Sequence, residues 1–379
     1  TSAEKVEGLK HIWGRTDLIP LWVADMDFAT APFVTDAIRK RCENEVLGYT
    51  GKPDSYYNAI INWVKQRYDL IVTKEVINFV PGIVPGIGMA MNCFTQKGDK
   101  VMIQPPVYHP FAWVTTRNER TLVINPLKWE NGMYRMDLDA FREQIKGCKL
   151  FILCNPHNPG GVVWTEAELR AIADICYDEK VLVFSDEIHA DLTLPPHTHR
   201  PFATVSEKAR MNSVTFMSPS KAFNMPGLSA SHALIFNEDL RKRFRIYMDA
   251  GELDMGHVFA FLSVEAAYSH GTEWLDQCLA YIQGNIDFVD EFLKKHAPKI
   301  KAIRPEASYL VWLDCRELEL SQKDLNEFFV DKAHLALNDG EMFGKEGIGF
   351  MRLNVASPRC IIETVSYTHL RAHETRGNL

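Results

Sequence analysis

The chain has 379 residues, of which 46% are hydrophobic and 24% are charged, and its formal net charge is −7. These proportions are those of an ordinary soluble globular protein, and the length suits one large domain with a smaller one. The negative charge gives no general attraction to nucleic acid or to a membrane surface, and no apolar stretch approaches the roughly 20 residues of a membrane span. The eight cysteines include no C-x-x-C pair, so we expect reduced thiols in the cytoplasm rather than disulfides or a zinc site.

The chain begins with mixed, polar residues and without Met, so we expect that its natural start is missing. Residues 20–28 are apolar and acidic without a helical period, which indicates a buried connecting segment. Residues 32–46 and 56–68 show the apolar spacing of two helices, the first with a proline near its start. The sequence Gly-Tyr-Thr-Gly at residues 48–51 breaks the pattern between them.

Seven short apolar runs follow, many of them separated by helical patterns. Several runs are apolar throughout, which is typical of strands covered on both faces. One intervening helix is predicted over residues 166–177, with Thr165 as its N-cap. This alternation predicts an α/β fold with a mostly parallel, doubly wound sheet of seven strands, although the direction of the last strand stays open. The runs are residues 76–80, 100–104, 121–124, 150–154, 181–185, 214–217 and 233–236.

The rest of the chain predicts a second, smaller unit. It is mostly helical to about residue 295, and then strands are expected near 309–313 and 349–353 with a helix over 322–333. We therefore expect a large cofactor-binding domain over residues 47–270 and a small domain made of 1–46 and 271–365. Residues 366–379 lose any amphipathic period and resemble translated adapter or vector sequence, so we expect that they are not native.

A lysine lies on the turn after the run at 214–217. The sequence Ser-Pro-Ser-Lys at residues 218–221 places Lys221 at the end of a buried strand. Such an amine is costly to bury unless it is used, and one use is a covalent bond to an aldehyde cofactor, of which pyridoxal 5′-phosphate (PLP) is the commonest. A lone lysine on such a turn is more often simply solvated. The interpretation therefore depends on whether the rest of the chain supplies a PLP site.

The sequence Val-Pro-Gly-Ile-Val-Pro-Gly-Ile at residues 80–87 suits the phosphate of PLP. It follows a strand and opens a helix, where glycine admits an anion and the first backbone amides bind it. Ile83 and Val84 would offer these N–H groups. Ser218 and Ser220 would add hydroxyl donors. An ordinary strand-to-helix turn is the alternative.

Other strand ends carry side chains that suit the PLP ring, at the edge where open α/β sheets bind ligands. Asp186 would keep the pyridine nitrogen protonated, and His189 and Asn158 would reach the phenolic oxygen. Tyr108 would stack on the ring. Arg352, on a strand of the smaller unit, would hold a substrate carboxylate through two parallel hydrogen bonds. Taken singly, these residues also fit tight loops, plain packing or surface ion pairs.

In this order along the chain, the motifs resemble fold-type-I PLP enzymes of the class I/II aminotransferase superfamily over residues 20–363. Residues 20–28, 48–50, 186–189 and 218–224 are similar to the cystathionine β-lyase branch, also called the MalY/PatB-type C–S lyases. The resemblance implies that Tyr49 reaches into the active site of a neighbouring subunit, so a homodimer is expected. It also implies the roles already given for the PLP lysine, the ring contacts and the carboxylate clamp: Lys221, Asp186, Asn158, His189, Tyr108 and Arg352.

The implied activity is β-elimination from L-cystathionine or a related L-cysteine S-conjugate, giving a thiol, pyruvate and ammonia. An aminotransferase acting on an L-amino acid would use the same residues, because fold and cofactor do not choose the reaction. A non-catalytic PLP-fold binding module is a third possibility. Two positions depart from the relatives: Ser229 stands where many aminotransferases have a phosphate-binding arginine, and Val162 stands where family members commonly have arginine.

Overall fold

The computed structural model describes residues 2–364, where helices and strands alternate through the middle of the chain. The tail at 366–379, expected not to be native, lies outside the described residues. The helices are α1 (Ala3–Gly8), α2 (Pro32–Cys42), α3 (Asp54–Tyr68), α4 (Ile83–Phe94), α5 (Pro110–Arg117), α6 (Leu138–Gln144), α7 (Glu166–Asp178), α8 (Glu207–Met211), α9 (Glu238–Ala250), α10 (Val258–His270), α11 (Thr272–His296) and α12 (Gln322–Glu327). The strands are β1 (Ile19–Pro20), β2 (Ile77–Val80), β3 (Lys100–Ile103), β4 (Thr121–Ile124), β5 (Lys128–Glu130), β6 (Met133–Arg135), β7 (Cys148–Cys154), β8 (Leu182–Asp186), β9 (Ser213–Met217), β10 (Ser231–Leu234), β11 (Lys301–Ile303), β12 (Leu310–Asp314), β13 (Leu335–Ala336), β14 (Asn338–Asp339) and β15 (Phe350–Asn354).

The largest sheet has seven strands in the order β2-β10-β9-β8-β7-β3-β4. The strands from β9 to β4 in this order pair in parallel, whereas β10 is antiparallel to both β9 and β2. These strands match the seven apolar runs of the sequence to within two residues at each end. The prediction of an α/β fold with a mostly parallel seven-stranded sheet is confirmed, and the direction of the last strand, which the sequence left open, is antiparallel.

Helices cover both faces of this sheet, and β7 shows how the sequence specifies that arrangement. Successive side chains of a strand point to opposite faces. Phe151 and Leu153 pack with Leu169 of α7 on one face, whereas Leu150 and Ile152 pack on the other face in a cluster that includes α4. Because both faces of β7 are buried, residues 150–154 are apolar on both sides of the strand.

The helix α7 begins as the sequence predicts. Thr165 is its N-cap, and the Thr165 hydroxyl accepts a hydrogen bond from the backbone N–H of Glu168 at 3.2 Å. The Glu168 carboxylate accepts in turn from the Thr165 N–H at 2.9 Å. This reciprocal capping box satisfies two backbone donors that lack acceptors within the helix.

A smaller antiparallel sheet, in the order β11-β12-β15-β14, forms the second layer of strands. Its central strands β12 and β15 lie within one residue of the predicted positions. Two predicted helices are shorter than expected: α2 ends at Cys42, and the helix predicted over 322–333 is α12 followed by a wider helical turn, Phe328–Lys332. The domain boundaries at residues 46, 270 and 365 stay predictions.

All eight cysteines are free thiols. Six of them are buried or half-buried, as expected for reduced cysteine packed as a small apolar residue. No helix among residues 2–364 combines the length and the apolar character needed to cross a bilayer.

Candidate active site

A cavity of about 210 Å³ opens at the carboxyl ends of β7, β8 and β9. Open α/β sheets bind ligands at this edge. Eight of the eleven residues that the sequence proposes for the site line this cavity, and they come from five separate stretches of chain. They are Ile83, Val84, Tyr108, Asn158, Asp186, His189, Ser220 and Lys221.

Lys221 lies on the turn after β9, where its Nζ donates a hydrogen bond to the carbonyl oxygen of Ala24. Burial lowers the pKa of Lys221 to about 8, and the positive charge of Arg352 adds to this effect. The carboxylates of Asp25 and Asp186 act in the opposite direction. The neutral amine is therefore populated at a lower pH than in an ordinary lysine.

Asp186 ends β8 and is 4% exposed. Burial raises the pKa of its carboxyl to about 7, and the neighbouring Glu187 adds to the rise. The backbone N–H of Ile188, which donates to Asp186 Oδ1 at 3.0 Å, and the positive charge of Lys221 lower the pKa. A protonated ring nitrogen beside this carboxyl would restore its charged form, because an opposite charge favours ionisation.

Three further side chains form the walls beside Asp186. His189 is buried, burial lowers its pKa to about 3, and its Nδ1 has no hydrogen-bond partner among residues 2–364. Asn158 accepts a hydrogen bond from Arg352 Nη1 at 3.1 Å through its Oδ1, which leaves its amide Nδ2 to donate into the cavity. The ring of Tyr108 forms another wall. The set offers donors and an aromatic face to a flat polar ring.

The opposite end of the cavity is the start of α4. Gly82 precedes this helix, and Ile83 and Val84 are its first two residues. The first N–H groups of an α-helix have no intrahelical acceptor and favour an anion. Pro85 has no N–H, so the donors at this end are the two residues that the sequence predicted.

Two serines complete that end. Ser220 lines the cavity, whereas Ser218 lies behind it. Ser218 Oγ donates to the carbonyl of Ala230 at 2.7 Å, lies 2.9 Å from Ser220 Oγ, and accepts from the Ser220 N–H at 3.1 Å. Ser218 therefore orients Ser220 rather than facing the cavity itself.

Arg352 lies in the middle of β15, is 3% exposed and reaches the cavity through Asn158. Its Nη2 donates to the carbonyl of Trp22 at 3.1 Å and to Asn338 Oδ1 at 2.5 Å, and its guanidinium lies 4.8 Å from the ring centroid of Phe343. The Nε is buried and has no partner among residues 2–364. Burial lowers the pKa of Arg352 to about 10, which leaves the side chain charged at neutral pH. Three of its five N–H groups make these hydrogen bonds, so the arginine retains donors for a carboxylate, the Nε among them.

Tyr49 does not join the cavity of its own chain. It lies between α2 and α3 on a segment without helix or strand, and its side chain is 99% exposed. An aromatic side chain this exposed gains nothing from packing within the chain.

The two positions that depart from the relatives lie in different surroundings. Ser229 lines the cavity with φ at 48°, so a short hydroxyl side chain stands there instead of a cation. Val162 is fully buried and packs in the core with Trp164, where an arginine would need a partner for its charge.

The sequence did not point to several of the cavity residues, because they are apolar or small residue types that carry little chemical signal. The apolar and acidic stretch at 20–28 was the one available signal, since it was recognised as a buried segment without a helical period. The missed residues are Ala24, Cys154, Ile188, Pro226, Ala230 and Ser231.

The donor set fits PLP from end to end. The helix start and Ser220 suit the phosphate, Asp186 suits the ring nitrogen, and Asn158 with the unpartnered Nδ1 of His189 suits the phenolic oxygen. Lys221 lies on the same cavity.

The fold and the cavity define a PLP-dependent enzyme of fold type I. The chain matches the family model for aminotransferase class I and II over residues 16–359, and it belongs to that family. It is 39% identical to cystathionine β-lyase PatB of Bacillus subtilis over 356 residues, which cover 93% of this chain and 92% of that protein. It is 30% identical to the protein MalY of Escherichia coli over 93% of this chain and 90% of that protein.

The solved structures agree. The crystal structure of cystalysin from Treponema denticola, which contains pyridoxal 5′-phosphate, superposes with a TM-score of 0.95 at 33% identity over 99% of this chain and 96% of that chain. Cystalysin therefore shares its fold with this protein along nearly the whole chain.

Proposed function

We propose that this protein is a PLP-dependent C–S β-lyase that cleaves L-cystathionine or a related L-cysteine S-conjugate to a thiol, pyruvate and ammonia. The observation that carries the proposal is the cavity in which Lys221, Asp186, His189 and Asn158 meet. The similarity to PatB supports the lyase branch of the family. When bound, PLP would accept the electron pair left on the substrate Cα.

Different residues of the chain would bind different parts of the cofactor. Ile83, Val84 and Ser220 would bind the phosphate and fix the cofactor at one end. Asp186 would face the ring nitrogen, where its negative charge keeps that nitrogen protonated. Because Asp186 is buried, water does not screen this interaction.

The substrate carboxylate would bind Arg352, whose unpartnered Nε points to a missing acceptor. The hydrogen bond from Arg352 to Asn158 then connects the carboxylate clamp to the side chain beside the phenolic oxygen. Substrate and cofactor would thus be held by two residues in direct contact, which restricts the orientation of Cα.

Lys221 would act as the general base. Once the substrate amine replaces it on the cofactor, its neutral amine would remove the proton from Cα, and the Cβ–S bond would break as the sulfur leaves. The lowered pKa of Lys221, about 8, keeps part of the amine in the neutral form near neutral pH. For L-cystathionine the leaving thiol is homocysteine, and water converts the remaining three-carbon fragment to pyruvate and ammonia.

The proposal is tested by incubating the purified protein with PLP and L-cystathionine in the absence of any oxo acid. We expect pyruvate and free thiol in equal amounts. An aminotransferase would instead need an oxo acid acceptor and would convert the bound cofactor to its pyridoxamine form. Absence of pyruvate together with that conversion would contradict the lyase proposal.

Replacement of the lysine tests its role separately. We expect Lys221→Ala to reduce turnover by at least about 1000-fold, since it removes both the covalent anchor and the base. The matched control is Lys242→Ala on the surface of α9, where the lysine is 66% exposed and pairs with Glu238. The control variant should retain wild-type turnover, and substantial turnover in Lys221→Ala would exclude this lysine as the base.

We also propose a homodimer in which Tyr49 completes the partner's site. The complete exposure of Tyr49, with Val46 and Leu47 exposed beside it, supports this proposal. A cytoplasmic location is proposed on the eight free thiols.

A further inference from the structure

An irregular segment over residues 22–28, which we call the strap, passes beside the amine of Lys221. The carbonyl oxygen of Ala24 in the strap accepts hydrogen bonds from Lys221 Nζ and from the hydroxyl of Tyr309, the latter at 2.9 Å. The strap has no helix or strand of its own, so its shape depends on contacts with other parts of the chain. The residues that contact the strap therefore determine the position of the Ala24 carbonyl.

Asn224 holds the strap from the side of Lys221. Its Oδ1 accepts a hydrogen bond from the N–H of Met26 at 3.0 Å, and its Nδ2 donates to the carbonyls of Met26 at 3.0 Å and Phe28 at 2.7 Å. The backbone of Asn224 adopts a left-handed conformation with φ at 52°, three residues after Lys221 on the same turn. One side chain thus satisfies three backbone groups of the strap in the manner of a strand neighbour.

The other side of the strap is held by the small sheet and by α1. Asn354 Nδ2 donates to the carbonyls of Val23 and Asp25, each at 2.6 Å, which are the two neighbours of Ala24. The ammonium of Lys5, which is fully buried, lies 3.0 Å from a carboxylate oxygen of Asp25. With one side fixed in this way, Asn224 is the contact that links the strap to the turn of Lys221.

We propose that Asn224 is a positioning residue for Lys221, and that it acts by holding the Ala24 carbonyl as the acceptor for the lysine amine. The inference rests on the proposed function, because it concerns the amine that is released when a substrate binds the cofactor. That amine has to stay in the cavity in one orientation to reach the substrate Cα. The strap provides an acceptor that is bonded, through Asn224, to the turn carrying the amine.

Three charged groups and one neutral histidine face Lys221. Arg352 of β15 lowers the pKa of the lysine, whereas Asp186 of β8 and Asp25 of the strap raise it, and His189 stays neutral beside them. A carbonyl acceptor favours the protonated nitrogen, because the charged ammonium is a stronger hydrogen-bond donor than the neutral amine. Loss of this acceptor should therefore lower the pH at which the nitrogen of Lys221 loses its proton.

The decisive variant is Asn224→Gly, because glycine keeps the left-handed backbone while removing the side chain. The matched control is Asn131→Gly. Asn131 has the same φ of 52°, but it lies exposed on the turn between β5 and β6, outside the cavity lining. Both variants make the same chemical change at the same backbone conformation, so their difference isolates the strap contacts.

Two readouts separate positioning from general stability. The first is the rate at which the cofactor-free protein captures PLP at a series of pH values, which titrates the free amine of Lys221 and whose midpoint we expect to fall by about half a pH unit in Asn224→Gly. The second is turnover, where we expect kcat to fall about 10-fold with KM changed by less than about threefold. Asn131→Gly should match the wild type in both.

A second variant keeps the test decisive if Asn224→Gly does not fold. The Thr30 hydroxyl donates to the carbonyl of Asn224 at 2.7 Å, and Thr30→Val removes this bond with little change of shape. It should shift the midpoint of PLP capture and kcat in the same direction by smaller amounts. A wild-type midpoint and kcat in the folded variant would overturn the inference. Failure of the wild-type protein to cleave L-cystathionine would instead count against the proposed function. The pH midpoint is measured without substrate, so it would still test whether Asn224 positions the amine of Lys221.

Discussion

At the residue scale, Lys221 and Asp186 are both shifted towards their neutral forms by the same cause. Burial lowers the pKa of the lysine to about 8 and raises that of the carboxyl to about 7. Both groups therefore carry less charge near neutral pH than they would in water. A cofactor that bonds covalently to the amine and brings a cationic nitrogen to the carboxyl would remove both penalties at once.

The shifted lysine predicts how the cofactor-free protein captures PLP. The neutral amine attacks the aldehyde, so the capture rate should rise with pH and level off above about pH 8, since the pKa is lowered from 10.5 to about 8. The rate is measured from the absorbance change after rapid mixing at a series of pH values. A rate that keeps rising towards pH 10 would show that the amine of Lys221 is ordinary.

At the element scale, residue patterns predicted the strands of the large sheet well. Several predicted runs are short and apolar on both faces, and a strand between two helical layers buries such a run. The hairpin of β5 and β6 was missed, although Asn131 and Gly132 between them form the strongest short-range turn signal. Its strands have three residues each, too few for a periodicity to be recognised.

Contacts that join distant parts of the site were beyond the patterns. Nothing in the polar start of the chain distinguishes Lys5, which is fully buried against Asp25, from an ordinary surface lysine. The bond from Arg352 to Asn158 joins residues 194 positions apart. Periodicity reports which face of an element is buried, whereas these contacts depend on how distant elements are placed in three dimensions, which no residue pattern here predicted.

The strand β10 carries a histidine that the proposed reaction does not use. His232 is fully buried, its ring meets Tyr268 edge-on with centroids 6.2 Å apart, and neither ring nitrogen has a hydrogen-bond partner among residues 2–364. Burial lowers its pKa to about 3. The folded protein therefore keeps this histidine neutral at pH values where the unfolded chain is already protonated.

The stability of the fold should therefore decrease as the pH falls through the pKa of the unfolded histidine. The unfolded histidine binds a proton near pH 6.5, so between about pH 7.5 and pH 5 this residue removes about 2 kcal/mol from the free energy of unfolding. Over the same pH interval the free energy of unfolding of His232→Met should fall by about 2 kcal/mol less than that of the wild type, as measured by urea unfolding at both pH values. His11→Met, at an exposed position of the helical segment Leu9–Trp13, should keep the wild-type dependence. Equal dependence in both variants would mean that His232 titrates normally.

At the scale of the whole molecule, one chain assembles nearly all of the proposed site. The large sheet contributes the cavity, and the small sheet contributes Arg352 through its bond to Asn158. The strap is bonded to the turn after β9 through Asn224 and to the small sheet through Asn354. Any movement of the small sheet relative to the turn of Lys221 would therefore displace the carbonyl of Ala24.

The group that does not fit this single-chain arrangement is Tyr49, and a mixed dimer tests where it acts. We expect Tyr49→Ala and Lys221→Ala each to be inactive alone. When the two variants are coexpressed, random pairing makes half of the dimers mixed, and each mixed dimer has one site with both residues intact. Activity should then recover to about one quarter of the wild-type value per chain. If Tyr49 served its own chain, every site would lack one residue and no activity would return, so the recovered activity distinguishes a shared site from a self-contained one.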